Sequence, residues 1–204
     1  MLLLLLLLLL TPGGAAPLRA EPLGGTIDQR SRQQVTALFT AGQTAMVKSD
    51  GAALLGQLSR ASRTRLEAIR AAARLGPAAA LAGFSPSEKL GVLALRKHFT
   101  PTQLRHLGTP DLVGHALGSH WLKPETLRGA ELGPVALSGN RASAPVLIEG
   151  RPSLARAEFV REGGQWRIDL TRTTSSADTL LKVLIQLSGR GEEAYLGQLL
   201  AHLR

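Results

Sequence analysis

The sequence predicts an α+β fold, with N-terminal helices packed on an antiparallel sheet and a helical pair closing the chain. Three observations carry that prediction. Gly163-Gly164 separates two alternating runs, Ala157–Glu162 and Gln165–Leu170, and adjacent glycines supply the positive φ that a tight hairpin turn needs. Upstream, three starts of the Ser/Thr-Pro type punctuate apolar stretches of helical period. Downstream, leucines recur at helical spacing as far as Leu203.

Length and composition set the frame. At 204 residues the chain is sized for one domain with a real core, and its 44% of apolar residues argue against disorder. Aromatic residues make up only 3%, so the interior is built from Leu, Val, Ile and Ala. There is no cysteine, which excludes disulfides, thiolate zinc sites, cysteine nucleophiles and a lipid-modified N-terminal cysteine. The net charge of +9 is mostly arginine and reads first as a solvated arginine-rich surface, with contact to anionic partners such as lipid head groups, polysaccharide or nucleic acid as the alternative. Among the arginines of residues 60–74 no aromatic residue stands ready to stack bases, so no nucleic-acid partner is expected.

In chain order, Leu2–Leu10 is an unbroken leucine run followed by Thr11-Pro12-Gly13-Gly14-Ala15-Ala16. It is too short for the roughly 20 residues of a membrane-spanning helix and matches the apolar segment of a secretory signal. Residues 1–20 are therefore expected to be a signal peptide cleaved near Ala20, with Ala15 as the second choice, and the protein to be exported to a periplasm or secreted. Retention as an anchor is the alternative, and membrane contact is otherwise confined to anionic head groups.

Residues 21–27 read as a Pro/Gly linker, and 28–204 as a single domain. A helix is predicted from about Asp28 to Lys48, weakened by about 1 kcal/mol by Gly42 in the middle of its apolar face. Ser49-Asp50-Gly51 interrupts it. A short helix with Leu54, Leu55 and Leu58 follows, then one carrying Leu66, Ile69, Ala73 and Leu75 before Gly76-Pro77. Ser85-Pro86-Ser87-Glu88 and Thr100-Pro101-Thr102-Gln103 both fit a capping box with proline at the first helical position. Thr109-Pro110-Asp111 repeats the cap and proline without the return residue.

The sheet is expected over about residues 127–173, turning at Gly139-Asn140 and again at Gly163-Gly164. Pro145 has no N–H to give a ladder, so its strand needs an exposed edge or a bulge there. The second turn fixes a register: Glu162 faces Gln165, Arg161 faces Trp166, Val160 faces Arg167, Phe159 faces Ile168, Glu158 faces Asp169 and Ala157 faces Leu170. One face then holds Ala157, Phe159, Trp166, Ile168 and Leu170, with Arg161 beside the turn. On the returning strand before it, Ala142, Ala144, Val146 and Ile148 share that face. Glu158 and Asp169 fall on the other, as a solvated charge ladder with arginines at the diagonals. C-terminal helices are expected over about residues 176–203, the first capped by Ser175 or Ser176 and the last presenting Leu196, Leu199, Leu200 and Leu203.

Helices first, then a curved sheet ending in a glycine turn and a Trp-x-Ile-Asp-Leu strand, resembles the NTF2-like superfamily, a cone-shaped α+β fold. The residues that carry the resemblance are Leu132–Val135, Gly139–Ala142, Phe159–Gly164 and Gln165–Leu170. A narrower likeness is to periplasmic phospholipid-carrier proteins of that fold, through Gly191-Glu192-Glu193-Ala194-Tyr195-Leu196 behind the tryptophan strand. The superfamily hosts enzymes and non-catalytic carriers alike, so the resemblance implies a fold and an interior before it implies a reaction.

The inward set contains no general acid or base. The ligand-lining candidates are Val146, Ile148, Phe159, Arg161, Trp166, Ile168 and Leu170. Four histidines, His98, His106, His115 and His120, fall close together, but their spacings of 8, 9 and 5 place no pair at the i,i+4 separation of a helical zinc site. No metal and no cofactor is expected. The reading that fits best is a non-catalytic domain binding an apolar, lipid-like molecule or a protein partner. Two others stay open: an isomerase- or dehydratase-type enzyme using those histidines, and a homodimeric interaction protein with no small ligand.

Overall fold

The computed structural model describes residues 26–75, 81–118 and 128–202. The expected signal peptide, most of the linker, His120 and Leu203 lie outside the described residues. Eight helices and a curled five-stranded antiparallel sheet make up the described chain, an α+β fold. No described helix is long and apolar enough to cross a membrane.

Six helices come first: α1 (Thr26–Val47), α2 (Gly51–Gln57), α3 (Arg60–Arg74), α4 (Pro86–His98), α5 (Pro101–His106) and α6 (Thr109–Gly118). Their boundaries follow side-chain caps. Asp50 Oδ1 accepts the Ala53 N–H at 2.8 Å to start α2, and Ser59 Oγ accepts the Ser62 N–H at 3.1 Å to start α3. Thr100 and Gln103 close a reciprocal box at α5, with Gln103 N–H on Thr100 Oγ1 and Thr100 N–H on Gln103 Oε1. At α6 the helix opens one residue earlier than its sequence suggests, because Gly108 rather than Thr109 holds the cap position. The Gly108 N–H donates to Asp111 Oδ2 at 3.1 Å, and its carbonyl accepts from Leu112.

The strands are β1 (Ala130–Leu132), β2 (Ala136–Ser138), β3 (Arg141–Ile148), β4 (Arg151–Glu162) and β5 (Gln165–Ile168). β1 and β2 share one edge of β3, β4 lies on its other side, and β5 closes the order. The Gly163-Gly164 hairpin has the predicted pairing from Glu162↔Gln165 through Phe159↔Ile168. The strand ends there: Asp169 still donates its N–H to the carbonyl of its predicted partner Glu158 at 2.7 Å, but it also caps α7 (Leu170–Leu187), so Leu170 opens that helix and does not pair with Ala157. That helix starts six residues ahead of the expected Ser176.

Asp169 keeps the extended backbone that alternation predicts, and its carboxylate turns to cap the helix that follows. Asp169 Oδ1 accepts from the Thr171 N–H at 3.2 Å and from its hydroxyl at 2.6 Å. Nor is it part of a solvated ladder: Asp169 is 6% exposed, with Arg141 3.6 Å from its other oxygen. Asp169→Ala is expected to lower stability by about 1–2 kcal/mol, and Asp169→Asn by less, in urea unfolding monitored by circular dichroism.

Pro145 is not on an edge. β3 is paired on both sides, and the proline is accommodated by a register break between Pro145 and Leu147 against β4. Opposite it the edge strand is itself broken at residues 133–135, where the Gly133 N–H bonds the Pro145 carbonyl at 2.9 Å. A Cβ on Gly133 would come within 2.7 Å of the Pro145 ring, so the break needs glycine.

The inner face of the sheet packs Ala142, Ala144, Phe159 and Trp166 against Val35 of α1. A second core holds Ile69, Leu90, Val92, Leu95, Leu112 and Leu196 between helices, with α8 (Glu192–His202) laid along α4. The described leucines of this helix thus face the chain's own interior: Leu196 is buried in that core, and the half-buried Leu199 and Leu200 pack against it. Lys89 Nζ to Glu192 Oε1, 2.6 Å, pins the start of α8.

Candidate functional site

Between the inner sheet face and the helices lies an apolar cavity of about 150 Å³, partly open to solvent. Strand alternation supplies one wall: Val146 from β3, Ala157 and Phe159 from β4, and Ile168 from β5. Leu170 and Thr173 extend that wall from the first turn of α7, which the Asp169 cap aims back over the sheet. Helical faces supply the other wall. Phe39 and Met46 come from α1, Leu54 from α2, Ile69 from α3, and Leu112 and Ala116 from α6.

Gly42, which the sequence presents as a weak point of α1, has a reason in this geometry. A Cβ there would lie 2.9 Å from Ile168 Cδ1 and 3.1 Å from Gln57 Oε1. Glycine lets α1 come down onto β5 and leaves the cavity between them open. A glycine in the middle of an otherwise apolar helix face was the one sequence signal pointing to this wall.

Four of the seven lining candidates, Val146, Phe159, Ile168 and Leu170, meet on the cavity wall. The other three do not. Ile148 packs with Ala130, Ala155 and Leu181 beyond the register break. Trp166 is buried with Val35 and Val135, its indole N–H without a partner among the described residues. Arg161 is exposed at the hairpin, where its Nε donates to the Gly164 carbonyl at 3.1 Å.

The described histidines do not reach the cavity. His98 ends α4, His106 is exposed at the end of α5, and the exposed His115 stacks obliquely on Phe99 with ring centroids 4.7 Å apart. No group of three or more potential metal ligands gathers among the described residues.

Chemically the wall is quiet. Its ionisable side chains are Arg70 and Arg156, both engaged elsewhere. Arg70 donates to the Leu107 carbonyl from Nε (3.0 Å) and Nη2 (2.7 Å), and Arg156 Nη2 donates to Ser143 Oγ at 3.1 Å. The Thr173 hydroxyl is bonded to the Asp169 carbonyl at 3.2 Å. Thr109 is the exception: it is 5% exposed and its buried hydroxyl makes no hydrogen bond among the described residues. Nothing on this wall can take or give a proton near neutral pH.

No family model, no curated protein and no solved structure matches this chain.

Beside the cavity sits a polar tie between helices. Arg65 of α3 makes a two-pronged ion pair with Glu88 of α4 and lies over the Phe84 ring, 4.8 Å from its centroid. The Ser85 N–H reaches Glu88 Oε2 at 2.8 Å, and the Ser87 N–H reaches Asp178 Oδ1 of α7 at 2.9 Å. Burial is the largest influence on the Glu88 carboxyl and pushes it up. Arg65 and the Ser85 donors together outweigh burial and hold the carboxyl below the ordinary range. The small hollow at this tie, about 10 Å³, has room for one water at most. It fastens three helices.

Burial, aided by the neighbouring Lys97 and His115, pushes the His98 imidazole below the ordinary histidine value of about 6.5. The unfolded chain therefore takes up this proton first, so the His98 contribution to stability is full above about pH 6.5 and declines as pH falls below it. Glu158 works in the opposite sense. Burial pushes its carboxyl up despite Arg172 and Arg156, which favours the folded state as pH falls. The expected result is therefore a difference: the stability gap between the wild type and His98→Gln narrows from pH 7.5 to pH 5.5, measured by urea unfolding at each pH. A constant gap would remove His98 as the titrating group.

Proposed function

We propose that this protein is an exported, non-catalytic NTF2-like domain that binds a small apolar molecule between its sheet and its helices. The observation that carries the reading is the cavity of about 150 Å³ walled by Phe39, Ile69, Leu112, Val146 and Phe159. A guest that covers this apolar wall removes it from water, and that burial is the free energy available for binding. A wall with no acid–base pair favours a carrier or sensor over a catalyst, and gives the histidine-based reading no residue to act with among those described. Support for export is the leucine run Leu2–Leu10 with small residues behind it, and support for the NTF2-like assignment is the order of helices, sheet and tryptophan strand.

Gentle purification followed by native mass spectrometry, with NMR titration against small apolar compounds, tests the proposal. Shifts are expected to gather at Gly42, Ala116 and Phe159, and Ala116→Leu, which fills the space, is expected to abolish them while the fold is kept. A protein that emerges empty and shifts with none of the compounds would overturn it.

A further inference from the structure

The size of the cavity and one hydroxyl on its wall narrow the ligand class; the argument rests on the binding reading just given. We infer that the cavity takes a compact, uncharged molecule with a single oxygen function, a small ring or short-chain alcohol or ketone, with Thr109 as its polar contact.

Size comes first. A cavity of about 150 Å³ lined by Leu, Ile and Phe side chains is filled by a guest the size of benzene. A phospholipid acyl chain would leave most of its length outside the opening, in water. Charge comes second. The two arginines that touch the wall already hold partners, Arg70 on the Leu107 carbonyl and Arg156 on Ser143, and no other ionisable side chain lines it. Both guanidinium groups are turned to those acceptors and the rest of the wall is apolar, so a charged head group placed inside would give up its water among hydrocarbon side chains.

Specificity comes third. Thr109 forms part of the wall, and its hydroxyl is buried without a hydrogen bond among the described residues. In its present rotamer the oxygen has almost no accessible surface. Threonine in a helix divides between two χ1 rotamers, and turning from one to the other moves the hydroxyl out of its present position. A guest with one donor or acceptor would draw the hydroxyl into the cavity and satisfy both groups at once, whereas a pure hydrocarbon leaves it unpaired.

The test measures affinities of the full chain for toluene, benzyl alcohol and palmitate by NMR titration, in wild type, Thr109→Val and Thr109→Ser. Toluene and benzyl alcohol are expected to bind and palmitate to bind more weakly than either. The benzyl alcohol to toluene affinity ratio is expected to fall about fivefold in Thr109→Val, the worth of one hydrogen bond, and to be retained in Thr109→Ser. Binding of both small compounds with an unchanged ratio in Thr109→Val overturns the inference and leaves the binding reading standing. Palmitate binding more tightly than the small compounds overturns the size argument in the same way. Failure of all three to bind the wild type removes the binding reading itself.

Discussion

Phe159→Ala is expected to destabilise the protein by about 3–5 kcal/mol. Phe159 is 1% exposed and is the largest of the fully buried side chains. It stands at the centre of the sheet, level with Ala142 on β3 and Ile168 on β5, and packs in the cluster of Val35, Val135 and Trp166. Two features keep the loss near the top of the usual range. Its strand is hydrogen-bonded on both sides, so the backbone cannot collapse into the hole. It also forms part of the cavity wall, so the space left by the ring joins a void already present instead of closing on its own. Phe159→Leu, which keeps most of the volume, should cost substantially less. Urea unfolding of both variants at one pH measures this. A Phe159→Ala protein as stable as the wild type would mean that this face of β4 does not line the interior.

The same residue shows what the sequence could and could not disclose. Its inward orientation was readable because a glycine pair fixes the hairpin turn, and a period of two then assigns every side chain to a face. That logic placed Val146, Phe159 and Ile168 correctly on one surface. It stopped short at Asp169, whose backbone stays extended beside Glu158 while its buried carboxylate caps a helix that alternation does not announce. It failed at Ile148, because the register break beside Pro145 separates the far end of β3 from the cavity.

The helical wall was not readable in the same way. A period of 3.6 says that Leu54, Ile69 and Leu112 are buried, but not against what, since helix faces carry no register. Docking of those helices depends on contacts far apart in sequence. One is the Leu170 N–H on Ser62 Oγ at 2.9 Å, and another is the Ser59 N–H on the Ile168 carbonyl at 2.9 Å. The terminal leucine stripe illustrates the same limit: its spacing was plain, while its burial against α4 is a fact of tertiary structure.

Gly51→Ala is expected to cost about 3 kcal/mol or more, a larger penalty than the size of one methyl group suggests. Gly51 opens α2 where that helix crosses α6 with backbone against backbone. A Cβ on Gly51 would lie 2.1 Å from the Pro110 carbonyl oxygen and 2.6 Å from the Gly114 nitrogen. From the other side, a Cβ on Gly114 would lie 3.0 Å from the Ser49 carbonyl oxygen. All three atoms are main chain, so no side chain can swing aside and the helices must separate. Because α6 carries Thr109, Leu112 and Ala116 of the cavity wall, separation also spoils the site, and ligand binding should weaken together with stability. Gly56 supplies the control within the same helix. A Cβ there meets nothing within 4 Å, so Gly56→Ala is expected to stabilise by up to about 1 kcal/mol through helix propensity alone. Opposite signs for the two substitutions, in parallel urea unfolding, are the result that close helix contact requires. Equal effects would show that α2 and α6 do not touch at Gly51.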